Sequence, residues 1–141
     1  MTIKQISVFI ENKYGTLNDL LSYLSDQDIR LIAATVADTS DYGILRIITD
    51  DQQRAYQLLK ERQILVQLSD VIALRIEQTV KSFAETIALF TKSGVEIEYM
   101  YCFSFNGSAL LVLRTKNLPS AYDVIRKNNL NYIQEAELIN L

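Results

Sequence analysis

The chain has 141 residues, 49% of them apolar, and a formal net charge of −3. That length allows one medium domain or two small ones, and the acidic balance weighs against a nucleic-acid partner, which would favour a basic face. With no histidine and one cysteine, Cys102, the chain cannot build a His-dependent triad, the usual Cys/His zinc site or an internal disulfide.

Along the chain, Ile6, Val8 and Ile10 alternate with Ser7, Phe9 and Glu11, so residues 3–11 read as a strand. A polar turn with a glycine, Glu11 to Leu17, leads into a helix whose apolar face is Leu17, Leu20, Leu21 and Leu24. Thr16 is the expected cap of this helix, with Asp19 as its capping-box partner. Gly15 permits a backbone shape that other residues avoid and lets another group approach closely. Branched residues from Ile29 to Ala37 predict a second strand, turn residues 38–43 a hairpin loop, and Ile44 to Thr49 a third strand. Asp51 is placed to cap a second helix with Ala55, Leu58 and Leu59 inside, and Ile64 to Leu68 predict a fourth strand.

A shift of 66 residues repeats this pattern. Ile6, Val8 and Ile10 become Ile72, Leu74 and Ile76; Leu17, Leu20, Leu21 and Leu24 become Phe83, Thr86, Ile87 and Phe90. The caps follow, with Ser82 and Glu85 for Thr16 and Asp19 and Asn117 for Asp51, and Leu58-Leu59 become Val124-Ile125. One constant shift that holds element order, core positions and caps in step marks an internal duplication. Each copy reads as a ferredoxin-like βαββαβ unit, giving an α+β fold with units at residues 1–68 and 69–141. The join, Gln67 to Val71, holds no Gly or Pro, which predicts units packed together with their antiparallel sheets side by side. Pro119 falls near the start of the last helix, where a missing N–H costs little.

The element order, the duplication and the motif Asn12-x-x-Gly15-x-Leu17 together resemble the ACT domain family. In that family the second strand opens with an apolar-Asn-Ile-like triplet; here it is Ile29-Arg30-Leu31, with arginine at the asparagine position. The resemblance covers almost the whole chain and implies a freestanding tandem ACT protein that binds a free amino acid and regulates a metabolic enzyme; the absent histidine, the solitary cysteine and the lack of a phosphate-cradling glycine loop predict a non-catalytic module without cofactor or metal, and the single cysteine fits a reducing cytoplasm. The resemblance further implies a homodimer. The second copy departs from the motif, with Gln78, Lys81 and Phe83 at the positions of Asn12, Gly15 and Leu17.

The resemblance implies a ligand between the first turn and a second-strand edge, at the seam between copies. The expected contacts are Asn12, Lys13, Tyr14, Gly15, Thr16 and Leu17, where backbone N–H groups at a helix start suit a carboxylate. Arg30 is expected either to grip a carboxylate or to serve as a surface cation. Tyr99, Met100 and Tyr101 are expected to line an aromatic pocket or to form ordinary sheet surface. Cys102 reads as a small packed residue. The competing function is a protein-interaction adaptor without a small ligand. The apolar runs are shorter than the ~20 residues of a spanning helix, so no membrane role is expected, and the N-terminal residues lack a signal-peptide layout.

Overall fold

The computed structural model of the protein describes residues 1–11, 15–38 and 42–140. Strand β1 (Thr2–Glu11), helix α1 (Thr16–Asp26), strands β2 (Leu31–Asp38) and β3 (Tyr42–Thr49) and helix α2 (Gln52–Glu61) follow in order. A single strand, β4 (Val66–Ile76), then carries the end of the first copy into the start of the second. Helix α3 (Val80–Lys92), strands β5 (Tyr99–Phe105) and β6 (Ser108–Arg114), and helices α4 (Leu118–Lys127) and α5 (Glu135–Ile139) complete the chain.

The chain divides into two compact units: Lys4–Ser69 with Ala136–Leu141, and Asp70–Glu135 with Met1–Ile3. In the first, β3 lies between β1 and β2 and pairs antiparallel with both. The alternation in β1 puts Ile6, Val8 and Ile10 on the face that meets Leu20 and Leu24 of α1 and Ala55 and Leu59 of α2. Leu21, expected on that helix face, sits at its margin and is 37% exposed. In the second unit, β6 lies between β4 and β5, again antiparallel. There Ile72, Leu74 and Ile76 meet Phe90 of α3 and Ala121, Val124 and Ile125 of α4.

The duplication holds to the single hydrogen bond. Phe9 N–H donates to Leu65 O at 2.9 Å, and 66 residues on, Arg75 N–H donates to Asn131 O at 2.8 Å. Val8 faces Leu45, and Leu74 faces Leu111. Each long helix ends in a left-handed residue: Asp28 and Gly94 after α1 and α3 (φ 58° and 72°), Gln63 and Asn129 after α2 and α4 (φ 60° and 50°). The cap side chains of α2 and α4 sit where the sequence puts them, Asp51 accepting from Arg54 N–H and Asn117 from Ser120 N–H. Pro119 lies in the first turn of α4.

Three local features depart from the sequence reading. Gly15, not Thr16, is the N-cap of α1, at φ 85° and with no side-chain cap bond, so Asp19 has no capping partner in Thr16. Thr79, not Ser82, caps α3 by accepting from Ser82 N–H; Ser82 lies inside the helix and accepts from Glu77 N–H. In shifted register α3 therefore begins two residues earlier than α1, because Lys81 can continue a helix where Gly15 turns left-handed. The last strand of the second copy is reduced to a bridge, Leu74 to Tyr132, before the chain turns into α5.

A buried amide also separates the units. Gln52, 4% exposed, accepts from Thr49 N–H (2.8 Å) and Thr49 Oγ1 (2.6 Å) and donates to Lys4 O (2.9 Å) and Ile47 O (3.1 Å). Its counterpart is Leu118. Every donor and acceptor of the Gln52 side chain is used, so its burial carries no unsatisfied polar group.

Candidate functional site: a cleft repeated in each unit

In the first unit β1 ends beside the start of α1, and a cleft of about 650 Å³ opens there. Phe9, Ile10 and Glu11 form one wall; Thr16, Asp19, Leu20 and Tyr23, one face of α1 at i, i+3, i+4 and i+7, form another. Tyr42 at the start of β3 and the segment Arg62–Leu65 close the rest. The volume is in the usual range for small-molecule sites.

The walls are held in place. The Tyr23 hydroxyl donates to Leu58 O at 3.3 Å, and the Arg62 guanidinium lies over the Tyr23 ring, 4.2 Å from its centre. Leu20 is 6% exposed, so its side chain forms the floor, whereas Glu11, Asp19 and Arg62 are exposed at the rim. An apolar floor with charges of both signs at its rim can hold a small zwitterion with an apolar tail.

The same place in the second unit carries a smaller cleft, about 380 Å³, lined by Leu74, Arg75, Ile76 and Glu77, by Thr79, Lys81, Ser82, Glu85 and Thr86, and by Leu130 and Asn131. Shifted by 66, Arg75 stands for Phe9, Thr86 for Leu20 and Asn131 for Leu65. The Thr86 hydroxyl donates to Ser82 O at 2.8 Å, and the Arg75 guanidinium lies over the Phe105 ring at 5.2 Å. Lys81 and Glu85 approach at 3.9 Å across the first turn of α3.

Of the residues singled out from sequence, Asn12, Lys13 and Tyr14 lie outside the described residues. Thr16 lines the first cleft. Leu17 packs on the core of its unit instead. Gly15 adjoins the cleft and takes the left-handed turn at φ 85°, and a Cβ built there meets nothing within 4 Å among the described residues. Arg30 is engaged by its own unit. Its Nη2 donates to Ile139 O at 2.6 Å, and its Nε lies 4.0 Å from the Asp50 carboxylate. Tyr99, Met100 and Tyr101 lie on β5 of the second unit, with Met100 39% exposed and the tyrosines half-buried. Cys102, expected to be packed, is exposed on the same strand, and partial burial pushes its thiol pKa up.

Phe9, Leu20, Tyr23, Tyr42 and Arg62 line the cleft without a motif in the sequence to mark them. The shift by 66 carries one signal, a change of polarity at Phe9/Arg75 and Leu20/Thr86. Among the described residues no group of His, Cys, Asp and Glu side chains could hold a metal ion, and no helix is long and apolar enough to cross a membrane.

The sequence matches the model of a family described as an ACT domain pair over residues 1–141. Among solved structures, the chain is similar to protein BT0572 from Bacteroides thetaiotaomicron, at 33% identity and a TM-score of 0.92, over 100% of this chain and 98% of that one. It is similar in fold to the regulatory subunit of aspartate kinase from Thermus thermophilus in its ligand-free form, at 14% identity and a TM-score of 0.58, over 86% of this chain and 91% of that one. A putative C-terminal regulatory domain of aspartate kinase from Porphyromonas gingivalis W83 gives 14% identity and a TM-score of 0.53, over 90% and 93%. No curated protein matches the sequence.

Proposed function

We propose that this chain, which belongs to the ACT domain-pair family, is a regulatory module that senses a free amino acid. ACT domains are non-catalytic regulatory modules, and family membership sets that frame. The observation that carries the reading to this chain is the cleft of the first unit, with Leu20 and Tyr23 in its walls and Glu11, Asp19 and Arg62 at its rim. An α-amino acid has the matching parts: an ammonium for the carboxylates, a carboxylate for the guanidinium, and a side chain for the walls. The motif residue Asn12, next to this cleft in sequence, belongs to the same proposal as a hydrogen-bonding partner of the ligand.

In this reading the bound amino acid is the signal, and the protein regulates a metabolic enzyme and works as a homodimer. Light scattering at micromolar concentration checks the dimer; a monomer mass would remove that part. Amino-acid sensing is checked by thermal unfolding with each of the twenty amino acids. A ligand at a hundred times its Kd adds about 2.7 kcal/mol to the stability of the state it binds, a shift of several degrees. The expected result is a rise with at least one amino acid that Asn12→Ala reduces. If none shifts the transition at millimolar concentration, the adaptor function takes its place.

A further inference from the structure

We propose that the first-unit cleft selects an amino acid with a large apolar or aromatic side chain, and that its counterpart in the second unit does not bind it. This rests on the amino-acid reading above and specifies its ligand class and its number of sites per chain.

The walls of the first cleft suit a bulky apolar group. Ile10, Leu20 and Tyr23 offer apolar surface from two elements, and Tyr42 adds a second phenol ring. Tyr23 is fixed from both ends, by its bond to Leu58 O and by Arg62 on its face, so a ring entering the cleft meets a preformed wall. A volume of about 650 Å³ leaves a small side chain, such as that of alanine or serine, touching few of these walls. Burying an added apolar group in such a site is worth about tenfold or more in affinity.

The rim suits a zwitterion. Asp19 presents a carboxylate for an ammonium. Arg62 stacks on Tyr23 through the face of its guanidinium, which leaves the edge donors for a carboxylate. A ligand missing either charge gives up one of these charge-assisted bonds.

In the second unit the carboxylates are kept, as Glu77 and Glu85, but the apolar walls and the stacked guanidinium are not. Thr86 replaces Leu20, which puts a hydroxyl where the apolar floor would be. Asn128 stands at the position of Arg62, with its amide donating to Val124 O at 2.9 Å. Leu89 and Ser108 stand at the positions of Tyr23 and Tyr42 and do not line the cleft. The volume falls to about 380 Å³.

Isothermal titration of the full chain tests this with L-phenylalanine, L-leucine, L-alanine, L-glutamate, phenethylamine and 3-phenylpropionate. The expected result is one site per chain, with phenylalanine or leucine at least about tenfold tighter than alanine or glutamate. Phenethylamine and 3-phenylpropionate, each lacking one charge, should bind about tenfold more weakly than phenylalanine. Tyr23→Leu, which installs the second-copy residue, should weaken phenylalanine by about tenfold. Asp19→Asn, at an exposed position with no expected effect on folding, should weaken it severalfold and keeps the test valid if Tyr23→Leu does not fold. Best binding by alanine or glutamate, two sites per chain, or unchanged affinity in Asp19→Asn would overturn this proposal and leave amino-acid sensing standing. Binding of none of the amino acids would overturn both.

Discussion

Position by position, the two clefts can be laid over one another: Ile10 on Ile76, Glu11 on Glu77, Thr16 on Ser82, Asp19 on Glu85 and Ile64 on Leu130 keep their chemistry. Phe9 on Arg75 and Leu20 on Thr86 do not. The cores beneath stay apolar at their centre, with Ile6, Val8, Leu45, Ile47 and Leu59 answered by Ile72, Leu74, Leu111, Leu113 and Ile125, all at 1% exposure or less, and differ at the buried amide Gln52, answered by Leu118. Close packing makes changes of volume costly in both copies, which keeps these central positions apolar. A cleft wall faces solvent on one side and tolerates a change of polarity, so Leu20 and Thr86 can differ there while the central core positions stay apolar.

The sharpest way to break that comparison is in the cores. Leu59→Ala and Ile125→Ala remove equivalent buried side chains, 0% and 1% exposed. Each is expected to cost about 2–5 kcal/mol, by similar amounts. Chemical denaturation of the two variants measures this; costs that differ by more than a factor of two would mean that the cores are not equivalent.

Next in size is the buried amide. Gln52→Leu installs the second-copy residue and leaves Lys4 O, Ile47 O and the Thr49 N–H without their side-chain partner. The expected cost is about 1–3 kcal/mol, although leucine is the larger hydrophobe. Thermal melting reads it, and a neutral or stabilising effect would show that the site can hold a leucine as the second copy does.

The smallest expected effect comes from exchanging the residues at the two helix starts. Gly15→Lys puts a side chain on a left-handed backbone and should cost about 1–2 kcal/mol from conformation, since a Cβ there meets no neighbour among the described residues. Lys81→Gly puts a flexible residue into the first turn of α3 and should cost about 0.5–1 kcal/mol. Both losses would appear as lower denaturation midpoints, and a gain in either variant would show that the two starts are interchangeable.

Much of the fold was legible in the sequence because period-two and helical patterns, read against a constant shift, report burial directly. Asp51 and Asn117 were found as caps from turn chemistry alone. Thr79 was missed because Ser82, three residues on, is an equally good hydroxyl, and only the backbone decides which one stands outside the helix. From sequence alone Arg30 stays open between a carboxylate grip and a surface cation, and its carbonyl partner, Ile139, is out of sight there because it lies 109 residues away along the chain. The cleft was the least legible part. Thr86 in place of Leu20 was read as one more core position kept in step, whereas its change of polarity was the informative observation.

The left-handed residue that closes each long helix leaves this protein with an untapped reserve of robustness. Glycine occupies one of the four equivalent positions, Gly94, while Asp28, Gln63 and Asn129 hold the same turn with side chains. Placing glycine at Asp28 or Asn129 trades a left-handed penalty of ~1–2 kcal/mol for the greater freedom of an unfolded glycine, a balance that favours the native state by a few tenths to ~1 kcal/mol. Neither residue lines a cleft. A background hardened in this way would let cleft variants that soften the fold be measured for binding instead of being lost to precipitation.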